Sequence, residues 1–397
     1  MELRSMRSET FIDWLDIYQT HRDGAELPIV SGGVKVSGAS FDWVEETPGN
    51  KVAIVNCGDQ LRYSVPSLQH RGSHDTSLRV RCDGQSVSMS GNVGRFGRPD
   101  NLFNHDFAET IDKAGHILSD LGLPPFTPGL EFCRDTLSPH DQDIVERSGG
   151  AIDLWTQYTG AVVREMHVTR NFLTGSDAMA VEVMKQWRSL RAARLSKANF
   201  GTETLVFGGT GKKLNKRIVI YRKAAEMLAH ARGQEAKEAV KASEAYQYAL
   251  ENGVVRVECK WGKDFLRDHA LRFVGGITMK KVISLFEAQT AFLDDVSPDR
   301  AQRLVSDMPA KLRAAALLWI EGKDLAALYP KTTFYRLVKR LRDECGIDAR
   351  EPRSTLLADG TDELQHHLDN IKPFELRRAA VPEWYGLPEV EPIERAA

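Results

Sequence analysis

The sequence predicts an α+β fold: an antiparallel sheet flanked by helices, with a mostly-β region before it and a mostly helical region after it. Three observations predict this. Short runs of alternating apolar and polar residues dominate residues 1–150, strand and helix patterns interleave over about 151–280, and helical spacing prevails beyond. A chain of 397 residues has room for two or three cores, and 42% hydrophobic with 27% charged residues is ordinary for a globular protein. Domains are therefore expected at 1–148 (mostly β), 149–282 (sheet and helices) and 283–397 (helical, with an extended tail).

In the first region the runs FIDWLDIYQ, KVAIVNC and SLRVRCDGQSVSMSG read as strands separated by Gly, Pro and Asn clusters. A helix is expected over about 106–121, where AETIDKAGHILSDLG has helical apolar spacing and ends at Gly122. Pro124, Pro125 and Pro128 then forbid a helix, because each removes a backbone donor and fixes φ. In the middle region AVVREMHVT reads as a strand. Ser176–Asp177 caps a helix with Ala180, Val183, Met184 and Trp187 on its apolar side. TETLVFGG and KRIVIYRK form a hairpin around GGTGKKLN, a helical run over 224–250 is broken or bent at Gly233, and VVRVECKW closes as a strand. The tail VPEWYGLPEVEPIERAA is expected to be extended and partly mobile.

Several classes are excluded. No stretch approaches the roughly 20 apolar residues of a membrane span, and MELRSMRSET lacks a signal peptide's apolar core. Cys57, Cys82, Cys133, Cys259 and Cys345 show no CxxC or metal-ligand spacing, so free thiols in a reducing cytoplasm are expected. The glycine-rich SGNVGRFGRP lacks the Lys-Ser/Thr ending of a phosphate-binding loop, which excludes an NTPase of that type. Its Arg95, Arg98 and Asn101 either meet a ligand or shape a turn, and the second is favoured. The net charge of −2 conceals asymmetry: eleven Lys/Arg face one acid, Glu203, between Lys185 and Lys223, and six face Asp324 alone between Lys323 and Arg342. Affinity for a phosphate backbone follows local potential, so nucleic-acid binding stays open.

Because side chains alternate along a strand, the faces can be read directly. In KRIVIYRK, Val219, Tyr221 and Lys223 share a face; in VVRVECKW, Arg256, Glu258 and Lys260 do; in AVVREMHVT, Glu165 and His167 do. A phenol, a carboxylate, an imidazole and several cations could thus meet on one polar surface. Cutting a phosphodiester needs a nucleophile and a phosphate whose charge is balanced, and a divalent cation on oxygen and imidazole ligands supplies that balance. Glu258 and His167 suit such ligation. A tyrosine, with a pKa of about 10, needs nearby positive charge to attack at neutral pH, and Lys223 is placed to give it. Each residue also has a structural reading: tyrosine is favoured in strands, a Glu between Arg256 and Lys260 suits an ion-pair row, and a lone His is usually hydrogen-bonded. Residue types leave both readings open.

The order of segments resembles the gene II protein family of filamentous phages, the inovirus initiators of rolling-circle replication. The segments that carry it are SGNVGRFGRPDNLFN (90–104), REMHVTRNF (164–172), KRIVIYRKAAEM (216–227), VRVECKWGKDFLRDHALRF (255–273), PKTTFYRLVKRLRDECGID (330–348) and PEWYGLP (382–388), collinear over almost the whole chain. The resemblance implies an origin-specific, metal-dependent single-strand DNA endonuclease and strand transferase. Tyr221 would be the nucleophile, Lys223 would assist at the phosphate, and Glu258 would hold Mg²⁺ or Mn²⁺. His167 stands where the family often has an acid, and an imidazole there tilts preference towards Mn²⁺. The His-x-His pair of many rolling-circle nickases is absent, since Val168 and Thr169 follow His167. Arg217, Arg222 and Lys260 are expected to meet DNA phosphates.

Residues 312–346 have the layout of a helix-turn-helix, with DLAALY as a short second helix and Thr332 or Thr333 capping FYRLVKRLRD. Arg336, Lys339, Arg340 and Arg342 would face DNA, while Leu337, Val338 and Leu341 pack inward. The resemblance also implies double- and single-stranded DNA at the phage origin as substrate, and a host helicase, single-strand-binding protein and polymerase as partners, in the host bacterial cytoplasm. A non-catalytic origin-binding or transcription-regulating protein is the rival expectation.

Overall fold

In the computed structural model the described residues are 9–21, 26–32, 35–47, 50–64, 66–187, 197–200, 203–208, 215–293, 310–320, 323–345, 349–350 and 377–393. The fold is α+β, with antiparallel strands and flanking helices, divided into two compact units. The first comprises Met1–Val168, Lys260–Val282 and Val381–Ala397; the second comprises Thr169–Cys259 and Ile283–Ala380. In this division Lys260–Val282 and Val381–Ala397 group with the first part of the chain.

The first unit is built on β1 (Thr10–Thr20), β2 (Ile29–Val30), β6 (Ser77–Asp83) and β7 (Ser86–Gly91), with β5 (Leu68–Arg71) also on β6. β7 pairs antiparallel with β1, Leu15 opposite Gly91 and Thr20 opposite Ser86. The β6–β7 turn closes because the Asp83 carboxylate accepts from Ser86 N at 2.9 Å while Gly84 takes φ 93°. Alternation works as expected here: Leu78, Val80, Cys82, Val87 and Met89 are buried, as are Leu15 and Ile17 of β1. β3 (Lys35–Thr47) and β4 (Asn50–Ser64) form a separate antiparallel pair. Helix α1 (Phe107–Asp120) starts at a reciprocal capping box between Asp106 and Glu109, and buries Phe107, Ile111, Ala114 and Leu118. Beyond its end Gly122 takes φ 69°, which glycine tolerates at no steric cost.

β10 (Val162–Leu173) and β14 (Val254–Gly262) contribute residues to both units. In the second unit the strand order is β11 (Lys197–Phe200), β12 (Thr204–Phe207), β13 (Lys216–Arg222), β14, β10. β12 and β13 form the expected hairpin, with Thr204 opposite Tyr221 and Phe207 opposite Ile218; residues 209–214 of its turn lie outside the described residues. Helix α2 (Pro139–Arg147) belongs to the first unit, and α3 (Asp177–Trp187) buries Ala180, Val183, Met184 and Trp187 as its spacing predicts. The helical run after Tyr221 is not one bent helix. It divides into α4 (Lys223–His230), α5 (Gln234–Ala242) and α6 (Glu244–Glu251), because Gly233 takes φ 85° and Ser243 caps α6 through Tyr246 N. Two further helices, α7 (Lys263–Asp268) and α8 (Met279–Thr290), follow β14.

Near the C-terminus α9 (Ala310–Ile320), α10 (Leu325–Leu328) and α11 (Lys331–Cys345) share a core of Leu312, Ala315, Ala316, Leu325, Phe334, Val338 and Leu341. Neither Thr332 nor Thr333 caps α11, which starts at Lys331 directly after Pro330, whose carbonyl accepts from Phe334 N at 2.8 Å. The tail is extended but not loose. The Tyr385 hydroxyl binds Asp100 and Arg98 at 2.5 and 2.6 Å, and the Glu391 carbonyl meets His116 Nε2 at 2.8 Å.

Candidate active site

Tyr221 lies next to last in β13 and is 8% exposed, while Ile218 and Ile220 of the same strand are buried in the core. Arg222, the final strand residue, is clamped by Asp177 and Glu203, each at 2.9 Å. The helix α4 then begins at Lys223. This overturns one expectation: Lys223 does not continue Tyr221's strand face but sits in the first helical turn. There it is 1% exposed, with Nζ donating to Glu226 Oε2 at 2.7 Å. Strand periodicity failed at this point because the backbone changes conformation between Arg222 and Lys223, and a period of two no longer applies.

β14 neighbours β13 in the sheet, so the strand carrying Glu258 lies beside the strand carrying Tyr221. Both faces of β14 are buried. Arg256 is fully buried and donates through Nε to Asn171 Oδ1 at 2.9 Å, while Glu258 is 6% exposed. Burial pushes the Glu226 carboxyl up, yet the Lys223 charge and hydrogen bond, with the charges of Arg256 and His230, outweigh it and hold Glu226 below the usual carboxylate range. Burial, reinforced by the Glu258 charge, pushes the Cys259 thiol up. Lys223, Arg256, Glu226 and Glu258 thus set two cations and two anions in one unit, all buried except the quarter-exposed Glu226. Charges survive burial in such balanced sets and rarely alone.

His167 and Lys260 belong to the first unit. His167 is buried, its Nε2 lies 2.7 Å from Glu165 Oε1, and its ring stacks on Trp14 at 5.9 Å. Beside it Arg164 pairs with Asp16 at 2.7 Å, and burial raises the Asp16 carboxyl despite that arginine. Lys260 is half-buried, as is Arg217 in the second unit. On α11, Arg336 and Lys339 are exposed and Arg340 half-buried, opposite the buried Val338 and Leu341; the Arg342 side chain lies outside the described residues, as do Arg188, Arg191, Arg194, Lys212 and Lys213 of the other basic block.

Among the described residues no group of three or more His, Cys, Asp or Glu converges on one point. Mg²⁺ is commonly held by one or two protein carboxylates, with waters and substrate phosphates filling the shell. Glu258, and the Glu165–His167 pair, are donors of the right chemistry for such a partial shell. Sequence reasoning missed Asn171, Asp16, Trp14, and the Arg170–Glu287 pair at 3.3 Å. The density of polar residues in Thr169–Arg170–Asn171, all buried, was the available signal. Asn101 and Arg98 are engaged within the fold: Asn92, Asn101 and Asn104 all donate to Asp13, and Arg98 binds the Phe103 carbonyl and Tyr385.

A protein family described as the N-terminal part of the phage replication-associated protein, the gene II product, matches residues 12–280. The replication-associated gene II protein of Escherichia phage If1 is 30% identical over 214 residues, covering 50% of this chain and 61% of that protein, so the chain spans less than two thirds of that relative. The structure of a rolling circle replication initiator protein from Geobacillus stearothermophilus overlaps 74% of this chain and 83% of its own at 11% identity, with a TM-score of 0.24. That overlap is too loose to bear on the fold.

Proposed function

The chain belongs to the phage replication-associated protein family, that of the gene II protein, and from that premise we propose that it is an origin-specific nickase and strand transferase that initiates rolling-circle replication of a phage genome. The observation that carries this is Tyr221 at the end of β13, bordered by the Lys223–Glu226 pair and by the strand that holds Arg256 and Glu258.

Tyr221 attacks the scissile phosphorus. The phenol gives up its proton, the P–O3′ bond breaks, and the leaving 3′-oxygen takes a proton to become the free 3′-OH that primes synthesis. The 5′-phosphotyrosyl ester conserves the energy of the broken bond, so a later 3′-OH can reverse the attack and seal the strand. Lys223 favours the ionised phenol and the crowded phosphate through its charge, and Glu226 fixes where its ammonium points. Mg²⁺ or Mn²⁺, held through Glu258, would neutralise charge on the phosphate. Arg217 and Lys260 take phosphates of the flanking strand. Arg222 is committed to Asp177 and Glu203, and its part is to hold the strand end that presents Tyr221.

The basic face of α11 supports a helix-turn-helix-like origin reader in which Arg336, Lys339 and Arg340 meet the duplex. The host helicase, single-strand-binding protein and polymerase would then act on the nicked origin in the bacterial cytoplasm. That same basic face is what favours the rival, an origin-binding or transcription-regulating protein without catalysis. Supercoiled origin plasmid incubated with Mg²⁺ or Mn²⁺ separates the two. Wild type relaxes it and Tyr221→Phe loses about a thousandfold or more in rate; relaxation by the variant sinks the tyrosine mechanism, and binding without nicking by wild type gives the rival its case.

A further inference from the structure

A second surface, in the first unit and built from other residues, has the chemistry of an unpaired nucleic-acid strand's partner. The hairpin of β8 (Glu131–Cys133) and β9 (Thr156–Tyr158) pairs Phe132 with Gln157, and Arg134 N donates to the Trp155 carbonyl at 2.8 Å to extend the ladder. By strand alternation Phe132, Arg134, Trp155 and Gln157 share one face. Two of them are large apolar side chains left in solvent: Phe132 is 46% and Trp155 40% exposed, next to Leu130 at 64%. Exposed aromatics grouped on one small hairpin mark an interaction site rather than a packing accident.

The same hairpin walls a cavity of about 200 Å³ whose lining includes Arg134, Arg267 and Arg272 against one carboxylate, Asp141. Arg134 is paired with that Asp141 at 3.0 Å, and Arg267 with Asp268 at 2.8 Å. Arg272 is exposed, makes no ion pair among the described residues, and lies over the Phe273 ring at 5.6 Å from its centroid. The floor is closed by Tyr158, whose ring packs where Gly275 has no side chain; a Cβ there would stand 2.3 Å from it. The hairpin itself is braced by Asp153, which accepts from Trp155 N at 2.9 Å and from the Thr156 hydroxyl at 2.7 Å. Small-molecule pockets usually occupy about 300–1,000 Å³, so this smaller one suits a backbone phosphate rather than a larger ligand.

We infer that the β8–β9 hairpin and the arginine cavity beneath it bind single-stranded DNA, with bases stacked on Trp155 and Phe132 and backbone phosphates held by Arg272 and its neighbours. Stacking needs an unpaired base, and a duplex hides its base faces, which selects the single strand over the duplex. The net positive lining selects a polyanion over an apolar protein surface. This rests on the reading that the chain acts on DNA, but not on Tyr221 being its nucleophile. Nicking exposes single strand, and a separate hold on it would keep the displaced strand near the enzyme.

The test is fluorescence anisotropy with labelled oligo(dT) and with origin duplex, on the full chain carrying Tyr221→Phe and then Trp155→Ala, Phe132→Ala or Arg272→Ala. Each hairpin or cavity variant should weaken oligo(dT) binding about tenfold, the scale of one stacked base or one phosphate contact, and leave duplex binding unchanged. Arg272→Ala should also reduce the salt slope of log K by about 0.7. Unchanged oligo(dT) affinity, or equal loss on duplex, overturns the inference, as does loss only of a host protein's binding. Because these side chains are exposed, melting temperatures should match wild type. If the Tyr221 chain nicks origin plasmid while the hairpin variants bind oligo(dT) normally, the inference alone fails; if Tyr221→Phe still nicks and the hairpin variants lose oligo(dT), the tyrosine mechanism alone fails.

Discussion

Each unit sets a tyrosine among charged side chains, and the two settings differ in how those charges are engaged. In the first unit Arg98 and Phe103 N donate to the Tyr385 hydroxyl at 2.6 and 3.1 Å, and that hydroxyl donates to Asp100 at 2.5 Å. Burial and the Asp100 charge both push its pKa up, with Arg98 opposing, so the phenol keeps its proton and ties the tail to the loop after β7. In the second unit Tyr221 is followed at once by Arg222 and Lys223, and the acids Glu226, Asp177 and Glu203 are occupied by those cations. A carboxylate on the phenol makes a structural clasp. At Tyr221 the nearby acids are instead engaged by the two cations that follow it in the chain.

Substitutions can break that comparison. The largest effect is expected from Glu258→Gln, which should lower origin nicking by about a thousandfold while origin binding, read by gel shift, stays near wild type. Equal loss of binding and of melting temperature would make Glu258 a folding residue like Asp13. Next is Glu226→Gln, which leaves Lys223 buried without its carboxylate. Loss of a fully buried pair costs about 3–5 kcal/mol, and because Glu226 is 25% exposed about 2 kcal/mol is expected in urea unfolding. The sign with pH follows: a carboxyl depressed in the folded state stabilises fully above its unfolded value of about 4.5, and the benefit fades as pH falls through the lower folded value. Wild type should therefore lose stability relative to Glu226→Gln below about pH 4.5, and parallel curves would contradict the pairing. Smallest is Tyr385→Phe, expected to cost about 1–2 kcal/mol and to leave the nicking rate of folded protein unchanged. A fall in rate would mean the clasp serves catalysis.

Much of this was legible in the sequence because it is local. The β12–β13 hairpin, the glycine stops at Gly122 and Gly233, the apolar side of α3 and the adjacency of Glu165 and His167 follow from spacing alone. What escaped depends on partners far away in the chain. The polar face of β14 reads as solvent-facing, yet Arg256 and Glu258 are buried, because Asn171, from another strand, supplies the hydrogen bond that makes Arg256 tolerable inside. Lys223 escaped because nothing in KRIVIYRK marks where strand becomes helix; the Lys–x–x–Glu spacing to Glu226 was the only hint. The tail escaped because Pro and charge suggest mobility, and its ties, those of Tyr385 and the Glu391 carbonyl, are to residues far away in the chain.

One bond decides the mechanism. Protein incubated with a labelled origin oligonucleotide and Mn²⁺ or Mg²⁺, then digested and mapped by mass spectrometry, should carry the nucleotide adduct on the peptide containing Tyr221 and on its phenolic oxygen. An adduct on another residue, Tyr385 included, or nicking with no covalent adduct at all, would contradict it.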